Sequence, residues 1–167
     1  MTDRPPPTRV LFVCMGNICR SPLAEAIFRH RAATRGVAER FLVDSAGTGD
    51  WHVGEAPDER VQRVAARNGV RLDSAARQVR RGDFKRFDHI LCMDEDNREA
   101  LLEMGAPSGK VRLLLECDPR APMVEVPDPY FGGEDGFDLV WRLVDSACDA
   151  VLDELLDEHP SGGTKRT

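Results

Sequence analysis

No apolar run in the chain approaches the roughly 20 residues needed to cross a bilayer. None follows the charged opening "MTDRPPP" either, so neither a membrane span nor a secretory signal is expected. Basic residues form no long block and no aromatic-interleaved stripe, and the net charge is -6, which argues against a nucleic-acid partner. The five cysteines (Cys14, Cys19, Cys92, Cys117, Cys148) are an odd set. Three of them, Cys14, Cys92 and Cys148, sit in apolar segments, as in a cytosolic protein with reduced thiols rather than a disulfide framework. A zinc site wants two close ligand pairs, and only one C-x4-C, from Cys14 to Cys19, is present. The phosphate loop G-x4-G-K-[ST] is missing. Four histidines, His30, His52, His89 and His159, show no partner pattern. The expected location is the cytoplasm.

What is present fits one soluble α/β domain. The chain has 167 residues, 41% of them hydrophobic and 31% charged. "RVLFVC" (9–14), "FLVDSAG" (41–47), "FDHILCM" (87–93) and "KVRLLL" (110–115) are short apolar runs suited to strands buried on both faces of a parallel sheet. Between them lie helix-like stretches that open on Ser21-Pro22, Pro57-Asp58 and Asp94 and close on Gly36, Gly69 and Gly105. A last helix is expected over 136–159, with Phe137, Val140, Val144, Ala147, Val151 and Leu155 on one face. Residues 1–8 are expected to be a disordered leader, 9–159 the domain and 160–167 a disordered tail. Strands alternating with helices imply a doubly wound sheet, with ligands at the carboxyl ends of the strands.

Cys14 falls at such an end, in the segment "VCMGNICRSP" between the first strand and the first helix. Loop amides and the positive end of a helix favour an anion there, whether a phosphate or a thiolate. Gly16 allows close backbone approach, Asn17 tolerates a left-handed conformation, and Arg20 can offer two parallel hydrogen bonds to phosphoryl oxygens. Ser21 is placed to cap the helix and to donate to the sulfur. A core cysteine needs no such neighbours, so a cysteine nucleophile facing an oxyanion is the expectation.

The segment resembles the signature loop C-x5-R-[ST] of the low-molecular-weight protein tyrosine phosphatases. "DSAGTGDWHVGEAPD", "ARQV", "FDHILCMDEDN" and "VPDPYFG" resemble further segments of that family in the family's order, so the likeness spans about Val10 to Leu156. It implies a single-domain, doubly wound four-stranded parallel sheet in the order 2-1-3-4, with helices on both faces and the phosphate loop after strand 1. It also implies a phosphohydrolase acting on phosphotyrosine-containing proteins through a cysteinyl-phosphate. Inorganic phosphate would be the product, and the enzyme would be a monomer needing no metal and no cofactor.

In that scheme Cys14 is the nucleophile, and Arg20 with the loop residues Met15, Gly16, Asn17, Ile18, Cys19 and Ser21 holds the phosphoryl group. Asp128, bracketed by Pro127 and Pro129, is general acid and then base. An Asp-Pro pair alone is usually a turn, and Asp118-Pro119 is taken as one; the resemblance is what raises Asp128 to the acid. Ser45 supports Asn17, and Trp51, Tyr130 and Phe131 wall a cleft for a flat substrate. Cys19 is either a small helix-start residue or a redox partner able to trap oxidised Cys14 as a disulfide.

Two departures stand out. Ser74 occupies the place of a histidine that many members use to support the asparagine, and Phe131 replaces a second tyrosine, leaving Tyr130 as the chain's sole one. The group Arg77, Arg80, Arg81, Lys85 and Arg86 is expected to be a solvated face. A thiol-dependent arsenate reductase of related architecture would need a cysteine relay, but Glu99 holds the place of the partner of Cys92. A protein-arginine phosphatase typically has threonine at the position of Ile18. A silent phosphopeptide-binding module would need neither nucleophile nor acid.

Overall fold

The run "RVLFVC" lies at the middle of a sheet in the computed structural model of the protein, which describes residues 5–130 and 133–158. β1 (Thr8–Cys14) pairs in parallel with β2 (Phe41–Gly47) on one side and β3 (His89–Cys92) on the other. β3 in turn pairs with β4 (Val111–Leu113), giving the expected order 2-1-3-4. An inner strand covered on both faces has no polar side, which is why β1 reads as a continuous apolar run. Its alternate residues serve two cores: Val10, Phe12 and Cys14 face one, Leu11 and Val13 the other.

The first core is closed by α1 (Arg20–Thr34), α2 (Glu59–Arg67) and α5 (Glu134–Glu158). The second is closed by the one-turn α3 (Asp83–Arg86) and by α4 (Glu95–Glu103). All six apolar positions expected on the face of the last helix are buried. Gly36, Gly69 and Gly105, just past α1, α2 and α4, have positive φ, the left-handed conformation that ends a helix without steric cost when no Cβ is present.

Several boundaries differ from the sequence expectation. β1 begins at Thr8, paired with Phe41, so the sheet reaches into the stretch taken as a leader. β4 stops at Leu113 because Glu116 accepts from the Leu113 N–H (3.1 Å) and closes a 3-10 turn over Leu114–Cys117. Phe87 stays outside β3 because its N–H is used by the Asp83 carbonyl (3.0 Å) at the end of α3. Residues 1–4 and 159–167, with His159, lie outside the described residues. Among the described residues no helix is long and apolar enough to cross a membrane.

Candidate active site

The turn from β1 into α1 is held from outside by neighbouring backbone. Thr48 and Gly49, just past β2, donate to the carbonyls of Cys14 and Met15 (both 2.9 Å), and Asp58 donates to that of Ile18 (2.8 Å). Gly47 makes this approach possible, since a Cβ there would stand 2.7 Å from the Met15 carbonyl oxygen. Inside the turn, Asn17 adopts φ 56° and its N–H points at Cys14 Sγ (3.2 Å).

The Asn17 side chain joins three segments. Its Nδ2 donates to Ser21 Oγ (2.8 Å) and to Ser45 Oγ (3.0 Å), and its Oδ1 accepts from the backbone N–H of Arg77 (3.0 Å). Ser21 Oγ lies 2.9 Å from Cys14 Sγ. Having accepted from Asn17, the hydroxyl has its own proton to give, with Cys14 Sγ and the Ala46 carbonyl (3.5 Å) within reach of it. The capping role expected of Ser21 is a correction: Cys19 is the N-cap of α1, with no side-chain cap bond, and Ser21 is turned inward to the sulfur.

Asn17 yields a stability prediction. Asn17→Ala loses these bonds and places an ordinary residue in left-handed backbone, whereas Asn17→Gly loses only the bonds. Urea unfolding is expected to find the alanine variant less stable than the glycine variant by about 1 kcal/mol, the scale of the left-handed penalty. Both are expected to fall below the parent by a further ~1–3 kcal/mol for the buried partners left unsatisfied.

Arg20 is buried, and one edge of its guanidinium is fixed: Nη1 donates to Asp94 Oδ2 (2.7 Å) and to the Val126 carbonyl (3.0 Å). Asp94 is itself fixed as the N-cap of α4, accepting from the Asn97 N–H (2.9 Å). Arg20 Nη2 faces Asp128 Oδ2 at 3.7 Å. The segment carrying Asp128 is anchored by the Val126 N–H on the Met93 carbonyl (2.8 Å), just past β3. The other Asp128 oxygen accepts from the Tyr130 N–H (3.0 Å), which orients the carboxylate.

Cys14, Met15, Gly16, Ile18, Cys19, Arg20 and Asp128 line a cleft of about 220 Å³ together with Trp51, His52 and Tyr130. The sulfur and the guanidinium form a buried floor, and Trp51 and Tyr130 stand exposed at the mouth. Trp51 lies over Gly49, where a Cβ would meet the ring at 1.8 Å. Tyr130 sits between the His52 ring (centroids 6.2 Å) and the Arg60 guanidinium (5.6 Å from its ring centre). Phe131 lies outside the described residues.

Sequence reasoning missed several participants. His52 lines the cleft, with Nδ1 held 3.1 Å from Glu55. Glu25 accepts from Ser45 Oγ (2.6 Å) and so supports Asn17 at one remove. Arg77 belongs to no solvated face: its guanidinium is paired with Asp44 and Asp83. That pairing fixes the strand-like segment whose N–H reaches Asn17. Ser45 was expected as a partner of Asn17 and is one; the Arg77 N–H, and Glu25 behind Ser45, were not foreseen. Ser74 has no hydrogen bond to this network among the described residues, and Asn17 has its partners without it.

The five cysteines are free. Burial, with Asp58 and Cys14 nearby, pushes the Cys19 thiol up to about 12. Cys92 packs in the core on the opposite sheet face from Cys14, and burial pushes its thiol well up.

The family model of low molecular weight phosphotyrosine protein phosphatase matches residues 9–161. A low molecular weight protein-tyrosine-phosphatase of Streptomyces coelicolor is 45% identical over 150 residues, 86% of this chain and 91% of its own length. Among solved structures, YfkJ from Bacillus subtilis superposes with a TM-score of 0.89 at 39% identity, covering 93% of this chain and 99% of that one. A Drosophila arginine phosphatase superposes with a TM-score of 0.82 at 35% identity, covering 87% and 96%.

Proposed function

Because the chain belongs to the low molecular weight phosphotyrosine protein phosphatase family, enzymes that hydrolyse phosphoric monoesters, we propose the following division of labour among its own residues. Cys14 Sγ attacks the phosphorus of phosphotyrosine in line, and Arg20 Nη2 and the loop amides hold the equatorial oxygens. Donors aimed in advance at developing charge are usually the largest catalytic contribution. The phenolate leaves with a proton from Asp128. Asp128, now a carboxylate, takes a proton from the water that attacks the cysteinyl-phosphate, releasing inorganic phosphate and the Cys14 thiolate. Ser21, 2.9 Å from the sulfur, stabilises that thiolate both as nucleophile and as leaving group.

One observation carries this assignment. Two segments distant in the chain, the loop from Cys14 to Arg20 and the segment at Asp128, bring the Cys14 sulfur, the Arg20 guanidinium and the Asp128 carboxylate to a single cleft. A phosphopeptide-binding module has no use for the first or the last. A buried floor with Trp51 and Tyr130 exposed beside it favours a long aromatic phosphoester over phosphoserine. The test is hydrolysis of phosphotyrosine, phosphoserine and phosphoarginine side by side. Phosphotyrosine is expected to be preferred; a preference for phosphoarginine would move the substrate class to that of the Drosophila neighbour. The same scheme gives a cytoplasmic monomer that acts without a cofactor.

Cys19 is assigned as the guard of Cys14 against irreversible oxidation. After a pulse of hydrogen peroxide, a thiol reductant is expected to restore the parent but to leave Cys19→Ser largely inactive, because only the parent stores oxidised Cys14 as a disulfide. With the Cys19 thiol raised to about 12, its reactive thiolate gains about tenfold per pH unit below that value. Disulfide closure is therefore expected to accelerate from pH 7 to pH 9, measured as reductant-recoverable activity against time. A closure rate independent of pH would contradict the assignment.

A further inference from the structure

Three acids are buried in the described residues, Glu25, Asp83 and Asp118, and Glu25 is the one whose carboxylate joins the hydrogen bonds behind the loop directly. It projects from α1 one turn after Ser21. Oε1 accepts from Ser45 Oγ at 2.6 Å, and Oε2 lies 2.7 Å from Nη1 of Arg29, one turn further along the helix. Arg29 is half exposed, and its other terminal nitrogen donates to the Val43 carbonyl of β2. The pair borders a cleft of about 300 Å³ between α1 and residues 70–74, separate from the one that holds Cys14.

The Ser45 hydroxyl has one proton and is itself buried. While Glu25 is ionised, Ser45 must give that proton to the carboxylate, which leaves its lone pairs for Asn17 Nδ2. A protonated Glu25 gains an O–H that can turn toward Ser45, an arrangement closed to the carboxylate, and in it the serine proton swings toward the Asn17 amide and competes with it.

We propose that the Glu25–Arg29 ion pair is a positioning device for catalysis: by keeping the carboxylate ionised it fixes the direction of the Ser45 hydroxyl and, through Asn17, the loop that carries Cys14. The inference rests on the assignment of that loop as the phosphate cradle. The surroundings make the counter-ion matter. Burial, Asp44 on β2 and Asp73 across the cleft push the Glu25 carboxyl up, while the Ser45 bond and Arg29 hold it down. His30 on α1 and Arg71 are the remaining charged or titratable groups on the cleft.

The test is kcat and KM for p-nitrophenyl phosphate from pH 5.5 to 8.5, for the parent, Arg29→Met, Arg29→Lys, Glu25→Gln and the Glu25→Gln/Arg29→Met pair. Without its cation, Glu25 takes up a proton at higher pH. The ratio of Arg29→Met to parent kcat is therefore expected to fall by about three- to tenfold at the acid end and to recover at the alkaline end, with KM unchanged. Arg29→Lys keeps a cation and is expected to restore the parent profile. In the Glu25→Gln background no carboxyl remains to titrate, so Arg29→Met is expected to change kcat by the same factor at every pH. A pH-independent ratio for Arg29→Met in the native background, or a lysine variant no better than the methionine, would overturn the proposal. Cys14→Ser assayed beside them separates the two failures: if it stays active, the loop assignment fails, whatever the Arg29 variants do.

Discussion

Cys14→Ser is expected to lose about 10⁴-fold or more in kcat on every phosphomonoester, the scale on which removal of a covalent nucleophile is felt. The substitution changes almost nothing else. An oxygen at this position keeps the Asn17 N–H and Ser21 Oγ as neighbours, so the loop retains its shape and Arg20 its ties to Asp94 and Val126. What is lost is a polarisable sulfur nucleophile, and a serine hydroxyl in its place attacks phosphorus far less readily. Inhibition by inorganic phosphate is accordingly expected to stay within a few-fold of the parent while turnover disappears. A loss of phosphate binding along with turnover would instead mean that the loop had collapsed. Turnover within tenfold of the parent would remove Cys14 from the chemistry.

Asp128→Ala is expected to show its effect selectively. Tyrosine's phenol has a pKa of about 10, so its anion leaves poorly without a proton, whereas p-nitrophenolate leaves readily as the anion. Loss of the general acid is therefore expected to cost about 10²–10³-fold on phosphotyrosine and markedly less on p-nitrophenyl phosphate. Asp128→Asn, which keeps an oxygen for the Tyr130 N–H, is expected to behave like the alanine variant on phosphotyrosine, because it lacks the transferable proton. Equal losses on both substrates would assign Asp128 to binding alone. Full activity in Asp128→Asn would remove it as the acid.

The features legible from sequence were those written in contiguous residues. "RVLFVC" encodes an inner strand because burial on both faces demands an unbroken apolar run, and "CMGNICRS" carries its residue types in a spacing that a loop between strand and helix can use. The last helix declared its face through a spacing of three and four. Apart from Ser45 and Asp128, which the family resemblance supplied, residues acting across the fold were illegible for a physical reason: their partners are distant in the chain. Glu25 looks like any acid in "SPLAEAIF" until β2 brings Ser45 to it, and Arg77 looks like part of a basic cluster until Asp44 and Asp83 enclose its guanidinium. Ser21 illustrates a competition between local and tertiary demands. Its position suggested a helix cap, but the sulfur and Asn17 are partners that a cap would forgo. His52 gave no signal because a lone histidine in a glycine-rich loop has no partner pattern, and only the fold sets it beside Gly16 and Tyr130.

The central claim is that the phosphoryl group passes through the Cys14 sulfur, and it is tested most directly by trapping. Asp128→Ala, which lacks the base that activates water, is mixed with p-nitrophenyl phosphate, whose leaving group departs without a proton, and quenched on the millisecond scale, and its proteolytic fragments are weighed. The account predicts one added phosphoryl group on the fragment containing Cys14, chasing to inorganic phosphate with time and absent in the Asp128→Ala/Cys14→Ser double variant. Phosphate release with no label on that fragment at any time, or label that persists when Cys14 is serine, would contradict it.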